Sequence, residues 1–127
     1  MEELKQNKEF IIRYFNALSG KLKTPELLKQ YILDDELLGH IEFFDNVFPK
    51  YEIFADEMTS EGNKVVVRAR FSGMHEGEFK GIAPTHRKVE FPFVVSYEIE
   101  NGKIVHHWLI ADSMVMMEQM GVMSELA

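Results

Sequence analysis

Cysteine is absent from this 127-residue chain, which excludes disulfides, thiol catalysis and thiolate metal sites together. Basic residues are outnumbered, 14 Lys and Arg against 21 Asp and Glu. The net charge of -7 leaves no cationic stripe for a phosphate backbone and no attraction to anionic lipid, so neither nucleic acid nor a membrane surface is expected as a partner. No apolar run approaches the roughly 18 residues of a membrane span. The opening MEELKQNKEF is charged rather than apolar, so no signal peptide is expected and the expected location is the cytoplasm. Glycine and proline, at 8 and 4, are sparse and dispersed, and the hydrophobic fraction is 46%. Together these exclude collagen-like, low-complexity and disordered character. What remains is an ordinary globular chain near the commonest single-domain size, expected to form one domain over residues 1–127 around one core.

The first half is written in helical periods. Leu4, Ile11, Tyr14, Phe15 and Leu18 recur at three-to-four spacing, and Gly20 is placed to end a helix over Glu2 to Ser19. Thr24 is an N-cap candidate with Pro25 at the first helical position, which predicts a short second helix carrying Leu27, Leu28, Tyr31 and Ile32. Asp34 can cap a third helix with Leu37, Leu38, Ile41, Phe44 and Val47 or Phe48 on one side, stopped by Pro49. Beyond Pro49 the period becomes two. Tyr51 to Met58 and Lys64 to His75 flank a Glu61 to Asn63 turn, and Lys88 to Glu100 and Lys103 to about Ala111 flank a Glu100 to Gly102 turn, which predicts two hairpins. Phe91, Phe93, Val95, Tyr97 and Ile99 share one face of the third strand, and Ser113 to Met120 predicts a closing helix that Gly121 can cap. Helices followed by an antiparallel meander define an α+β domain with helices gathered on one face of a curved sheet.

Asp112 is the leading chemical candidate. It stands between Trp108-Leu109-Ile110-Ala111 and Met114-Val115-Met116-Met117, and apolar surroundings push a carboxylate toward the pKa range of a general acid or base. It also directly precedes the last helix, where Asp is among the best N-caps, and the two roles are compatible. Of the five histidines, His106 and His107 are strand neighbours that point to opposite faces, and no His-x-His or His-x-x-x-His spacing occurs, so no metal site is expected. Strand parity puts His106 beside Trp108, where it would either face a cavity or lie on an open sheet surface. His75 and His86 bracket the glycine-containing connection EGEFKGIAPTHR, which would line a mouth or be solvated. His40, among Leu37, Ile41 and Phe44, is expected to be an ordinary amphipathic position. Arg68 and Arg70 share a strand face and would hold an acidic group or form a solvated or dimer-contact face. Tyr14, Tyr31, Tyr97 and Phe93 are candidates for a cavity wall. Five of the eight methionines fall between Met114 and Met123, among them Met117, and flexible thioethers suit an adaptable apolar wall or a helix packed on a sheet.

The segments GMHEGEFKGIAPTHRKV and GKIVHHWLIADSMVMMEQMGV resemble the SnoaL-like polyketide cyclase family, also called ester cyclase-like, within the nuclear transport factor 2 and ketosteroid isomerase group of folds. NKEFIIRYFNAL is similar to the family's first helix and VFPKYEIFADEMTSEGNKVVVRARFSG to its first hairpin, so the resemblance covers nearly the whole chain. It implies a cone-shaped α+β barrel whose sheet wraps three helices around a deep apolar cavity, commonly in a homodimer. It also implies chemistry without a cofactor, on a hydrophobic carbonyl-bearing small molecule, with an acid/base aspartate. By motif that aspartate matches Asp112, and the family's aromatic, histidine and arginine positions match Trp108, His75 and Arg68. The chain departs from the pattern at His86, where Pro84 and Thr85 are commonly followed by glycine, and at His106, where glutamate is common; both departures put histidines near the expected site. A non-catalytic ligand-binding or dimerising module is the alternative use of the same fold.

Overall fold

The computed structural model describes residues 2–121, so Met123 and the rest of the C-terminal tail lie outside it. Helix α1 spans Glu2–Leu18 and buries Phe10, Ile11, Tyr14, Phe15 and Leu18, one stripe at helical spacing. Gly20, at φ 70°, ends the run in a conformation that glycine adopts freely, and its N–H bonds the Tyr51 carbonyl at 2.9 Å. Helix α2 is only Pro25–Lys29, capped by the Thr24 hydroxyl, which accepts from the Leu27 N–H at 3.2 Å. Helix α3, Asp35–Val47, starts at Asp34, whose Oδ1 accepts from the Glu36 and Leu37 N–H groups at 3.0 and 3.2 Å.

Four strands follow in sheet order β1-β2-β3-β4, each antiparallel to the next: β1 Glu52–Glu61, β2 Lys64–Met74, β3 Lys88–Glu100 and β4 Lys103–Ala111. The β3–β4 turn places both Asn101 and Gly102 at positive φ, 51° and 74°, the backbone that a two-residue hairpin needs to match strand twist. Val65, Val67, Ala69 and Phe71 of β2 and Phe91, Phe93, Val95, Tyr97 and Ile99 of β3 all turn inward against the helices. Helix α4, Ser113–Gln119, closes over the end of the sheet and buries Met116.

Two irregularities set what faces what. In β1 the extra residue is Asp56, whose carboxylate receives the Arg70 guanidinium at 3.0 Å. In β4 the pairing steps from Ile99↔Ile104 to Glu98↔His106, so Val105 is a one-residue bulge. Strand parity without that bulge would carry the inward set from Ile104 to His106, Trp108 and Ile110. The bulge shifts it to His107, Leu109 and Ala111, and His106 and Trp108 lie on the outer face. Ile104 also forms a short parallel bridge with Ile32, through Leu33 N–H to Ile104 carbonyl at 2.8 Å and Ile104 N–H to Tyr31 carbonyl at 2.7 Å. That bridge pins the start of α3 beside β4.

Candidate functional site

Sheet, α1, α3 and α4 enclose a cavity of about 350 Å³, the size of a small-molecule pocket. Its walls are Leu18, Leu37, Ile41, Phe44, Ile53, Phe71, Phe91, Phe93, Leu109 and Met116, with polar groups from Tyr14, His40, Tyr51, Tyr97 and Ser113. The aromatic rings lock one another. Tyr14 meets Tyr97 edge-on at 5.6 Å between centroids, and Phe71 stacks on Phe91 at 4.6 Å.

Three of the polar groups, Tyr14, His40 and Tyr97, stand near a buried Asp34–His107 pair. Tyr97 is the cross-strand partner of His107. His107 Nδ1 donates to Asp34 Oδ2 at 2.7 Å, and the two side chains are 7% and 10% exposed. Burial pushes the Asp34 carboxyl up, but the His107 bond and the two backbone donors of the helix cap outweigh it and hold the carboxyl below its ordinary range. The Tyr14 phenol is pushed well up by burial, then by Tyr97 and Asp34, and the Tyr97 phenol is raised mainly by burial. Both stay protonated, and the two hydroxyls hydrogen-bond each other, so the pair has one O–H left over as a donor. His40 is held down by burial and by neighbouring His107, with Glu36 acting the other way, so its imidazole is neutral near pH 7 and offers a lone pair to the cavity.

Of the residues that the sequence nominated, Tyr14, Phe93 and Tyr97 line this cavity. Met117 packs partly buried against the core beside Met116, which lines the wall in its place. Asp112 is exposed and caps α4, its Oδ1 accepting from the Val115 N–H at 3.1 Å, while its neighbours Ala111 and Ser113 both line the cavity. It therefore stands at the rim. Trp108, 56% exposed, and His106 lie on the outer face of the sheet because of the Val105 bulge. Arg68 shares that face and sits 3.7 Å from Glu57 in a solvated pair. His86 is exposed at φ 58°, its N–H bonded to the His75 carbonyl.

His75 is fully buried but does not line the cavity. Its Nδ1 accepts from the Thr85 hydroxyl at 2.9 Å and from the Thr85 N–H at 3.3 Å, so the neutral ring carries its proton on Nε2. That Nε2 has no hydrogen-bond partner of good geometry among the described residues. Burial lowers the His75 pKa, with the Gly77 backbone pulling the other way and His86 adding to the fall. The ring clamps the connection from 75 to 87 onto α3. There the Gly77 N–H bonds the Val47 carbonyl at 3.0 Å, and a side chain on Gly77 would collide with the Asn46 carbonyl.

His40, Tyr51, Ser113 and the Asp34–His107 pair are the site groups that sequence patterns miss. Two of them carry a signal in hindsight: Asp34 is a cap whose second oxygen needs a partner, and His107 shares the inward parity of Leu109.

An α+β domain whose curved antiparallel sheet wraps an apolar cavity, closed by helices, is a nuclear transport factor 2-like fold. The family model for SnoaL-like polyketide cyclases matches residues 34–120, and the chain belongs to that family. No curated protein matches the sequence. Among solved structures, a candidate SnoaL-like polyketide cyclase from Jannaschia sp. CCS1 superposes with a TM-score of 0.82 at 20% identity, covering 94% of each chain. AclR from Streptomyces galilaeus, described as a candidate hydroxylase, superposes at 0.80 with 19% identity over 93% of this chain and 82% of its own. IdmH from Streptomyces antibioticus, described as a candidate polyketide cyclase, superposes at 0.76 with 24% identity over 92% and 99%. At these identities the likeness is one of fold.

Proposed function

We propose that this chain is a cofactor-independent, cytoplasmic enzyme that moves a proton on a hydrophobic, carbonyl-bearing small molecule held in the cavity, with Asp112 as the rim acid or base. The observation that carries this is the cavity itself: about 350 Å³, walled by aromatic and aliphatic side chains, with the hydrogen-bonded Tyr14–Tyr97 pair of phenols in its lining. Family membership supports the cyclase-like chemistry, in which an enolate attacks a second carbonyl of the same molecule to close a ring. A general acid or base of this kind contributes on the order of 10² to 10⁴ in rate. The test is turnover of a panel of polycyclic ketones and poly-β-keto esters, followed by mass spectrometry. Loss of at least about tenfold in kcat in Asp112→Asn supports Asp112 as the proton carrier, and undiminished turnover removes it from the mechanism.

The Asp112 cap on Val115 supports a second reading, a ligand-binding module in which the carboxylate only starts α4. Asn caps nearly as well as Asp, so Asp112→Asn then lowers stability by only about a few tenths of a kcal/mol, against about 1 kcal/mol for Asp112→Ala, and ligand affinity stays within about twofold for both.

A further inference from the structure

Asp34 and His107 stand far apart in sequence, and the Ile32–Ile104 bridge brings them together beside the cavity. A carboxylate only accepts, so Nδ1 of His107 carries the proton it donates, and the pair is almost closed to solvent. His40, a little over one turn into α3, lies next to it with ring centroids 6.5 Å apart. The His40 ring rests against Phe44 at 4.7 Å and lines the cavity, and neither of its nitrogens hydrogen-bonds another described residue. From His107 to Asp112 the chain advances roughly 16 Å at the rise of an extended strand. A molecule filling the cavity therefore lies between Asp112 at the rim and His40 at the other end.

We propose that His40 is a second proton-accepting group of this cavity, and that His107, clamped by Asp34, is its positioning partner. The proposal rests on the cavity being a ligand site. In the step, the O–H bond of an acidic enol or phenol breaks, an N–H bond forms on His40, and the electron pair stays on the ligand oxygen. The resulting anion is then next to the new imidazolium and within the reach of protonated phenols. The charged and titratable groups around His40 are Asp34 and Glu36 from α3, His107 from β4, Tyr97 from β3 and Tyr14 from α1. Among these, burial and His107 favour the neutral imidazole that a base requires, and Glu36 opposes them.

The probe is 1,2-dihydroxyanthraquinone, whose colour reports ionisation of its phenol. An apolar cavity alone disfavours the coloured anion, and the phenol donors remain in a His40 variant, so the part of any gain in ionisation that disappears with His40 is the part due to its base. At the pH where the free dye is half ionised, wild-type protein should raise the ionised-to-neutral ratio of bound dye about tenfold, equivalent to one pKa unit. His40→Gln should bind the dye and lose that excess. Retention of the excess in His40→Gln overturns the proposal while leaving the cavity intact as a ligand site. Failure of the dye to bind wild type overturns the ligand site and the proposal with it. Nitrogen-15 spectra of the wild-type histidine rings provide a measurement independent of any variant: His40 should pass from neutral to doubly protonated as dye saturates at constant pH, and a ring that stays neutral overturns the proposal. His107→Phe should move the His40 midpoint upward toward about 6.5 while dye binding persists, and an unmoved midpoint overturns the positioning role.

Discussion

At the scale of single residues, the groups that matter most are those whose ionisation the fold has displaced. His40 and His75 both have lowered pKa values in the folded protein, chiefly through burial. The unfolded chain takes up protons on them at about pH 6.5, while the folded chain does so only at lower pH. Stability from this source is full above that value and is lost as pH falls below it. Asp34 acts in a lower window. Its folded pKa is depressed, so its contribution is present above the unfolded value of about 3.9 and is lost as pH falls through the folded one. Urea unfolding should therefore show a decline between pH 7 and 5, shallower in His40→Gln, and a second decline below pH 4 that Asp34→Asn diminishes. A stability flat from pH 7 to 5 would contradict the neutral buried histidines. The sequence does not show these shifts, because they depend on what covers each ring: His40 has the amphipathic spacing of an ordinary helix face, and only its neighbours His107 and Phe44 give it a different environment.

At the scale of elements, the boundaries follow from local chemistry and the facing of β4 does not. Thr24-Pro25, Asp34, Pro49, Asn101-Gly102 and Gly121 mark ends within a residue or two of where they fall, because caps and turns are satisfied by their own neighbours. Val105 has no such signature. It is a β-branched residue in a run of strand formers, and its bulge exists because Ile104 is fixed by Ile32 while the later residues pair with β3. Deleting Val105 joins Ile104 directly to His106 and should restore strict alternation with His107, Leu109 and Ala111 still inward and His106, Trp108 and Ile110 still outward. The expected result is that the Asp34–His107 bond persists and that the urea midpoint reports a stability change of no more than about 1 kcal/mol. A deletion variant in which iodide no longer quenches Trp108 fluorescence would show that the extra residue is not what reconciles Ile104 with the later register.

At the scale of the whole molecule, the outer face of the sheet is the part left without a partner in a single chain. Trp108, Ile110 and Val66 are 56%, 58% and 40% exposed and flank β3, Val66 on β2 and the other two on β4, through the pairs Val66↔Ser96, Ser96↔Trp108 and Val94↔Ile110. Arg68 with Glu57 and Lys64 with Glu98 rim them. An apolar centre with a charged rim is the composition of a self-association face, and a homodimer through it is our proposal for the oligomeric state. Sedimentation velocity should give a dimer for wild type and a monomer for Trp108→Glu, with the far-ultraviolet spectrum unchanged; a wild-type monomer at tens of micromolar would dispose of the dimer. The amino-acid sequence by itself determined the fold class, the order and ends of the elements and the family, because periodicity, caps and turn residues are local and the family pattern is written along the chain. Only the tertiary structure decided which way Trp108 and His106 face, that Asp112 stands at the cavity rim, and that Asp34, His107 and His40 meet beside the cavity. Each of those depends on a bulge, a bridge or a packing contact between residues distant in the chain, and no local pattern encodes them.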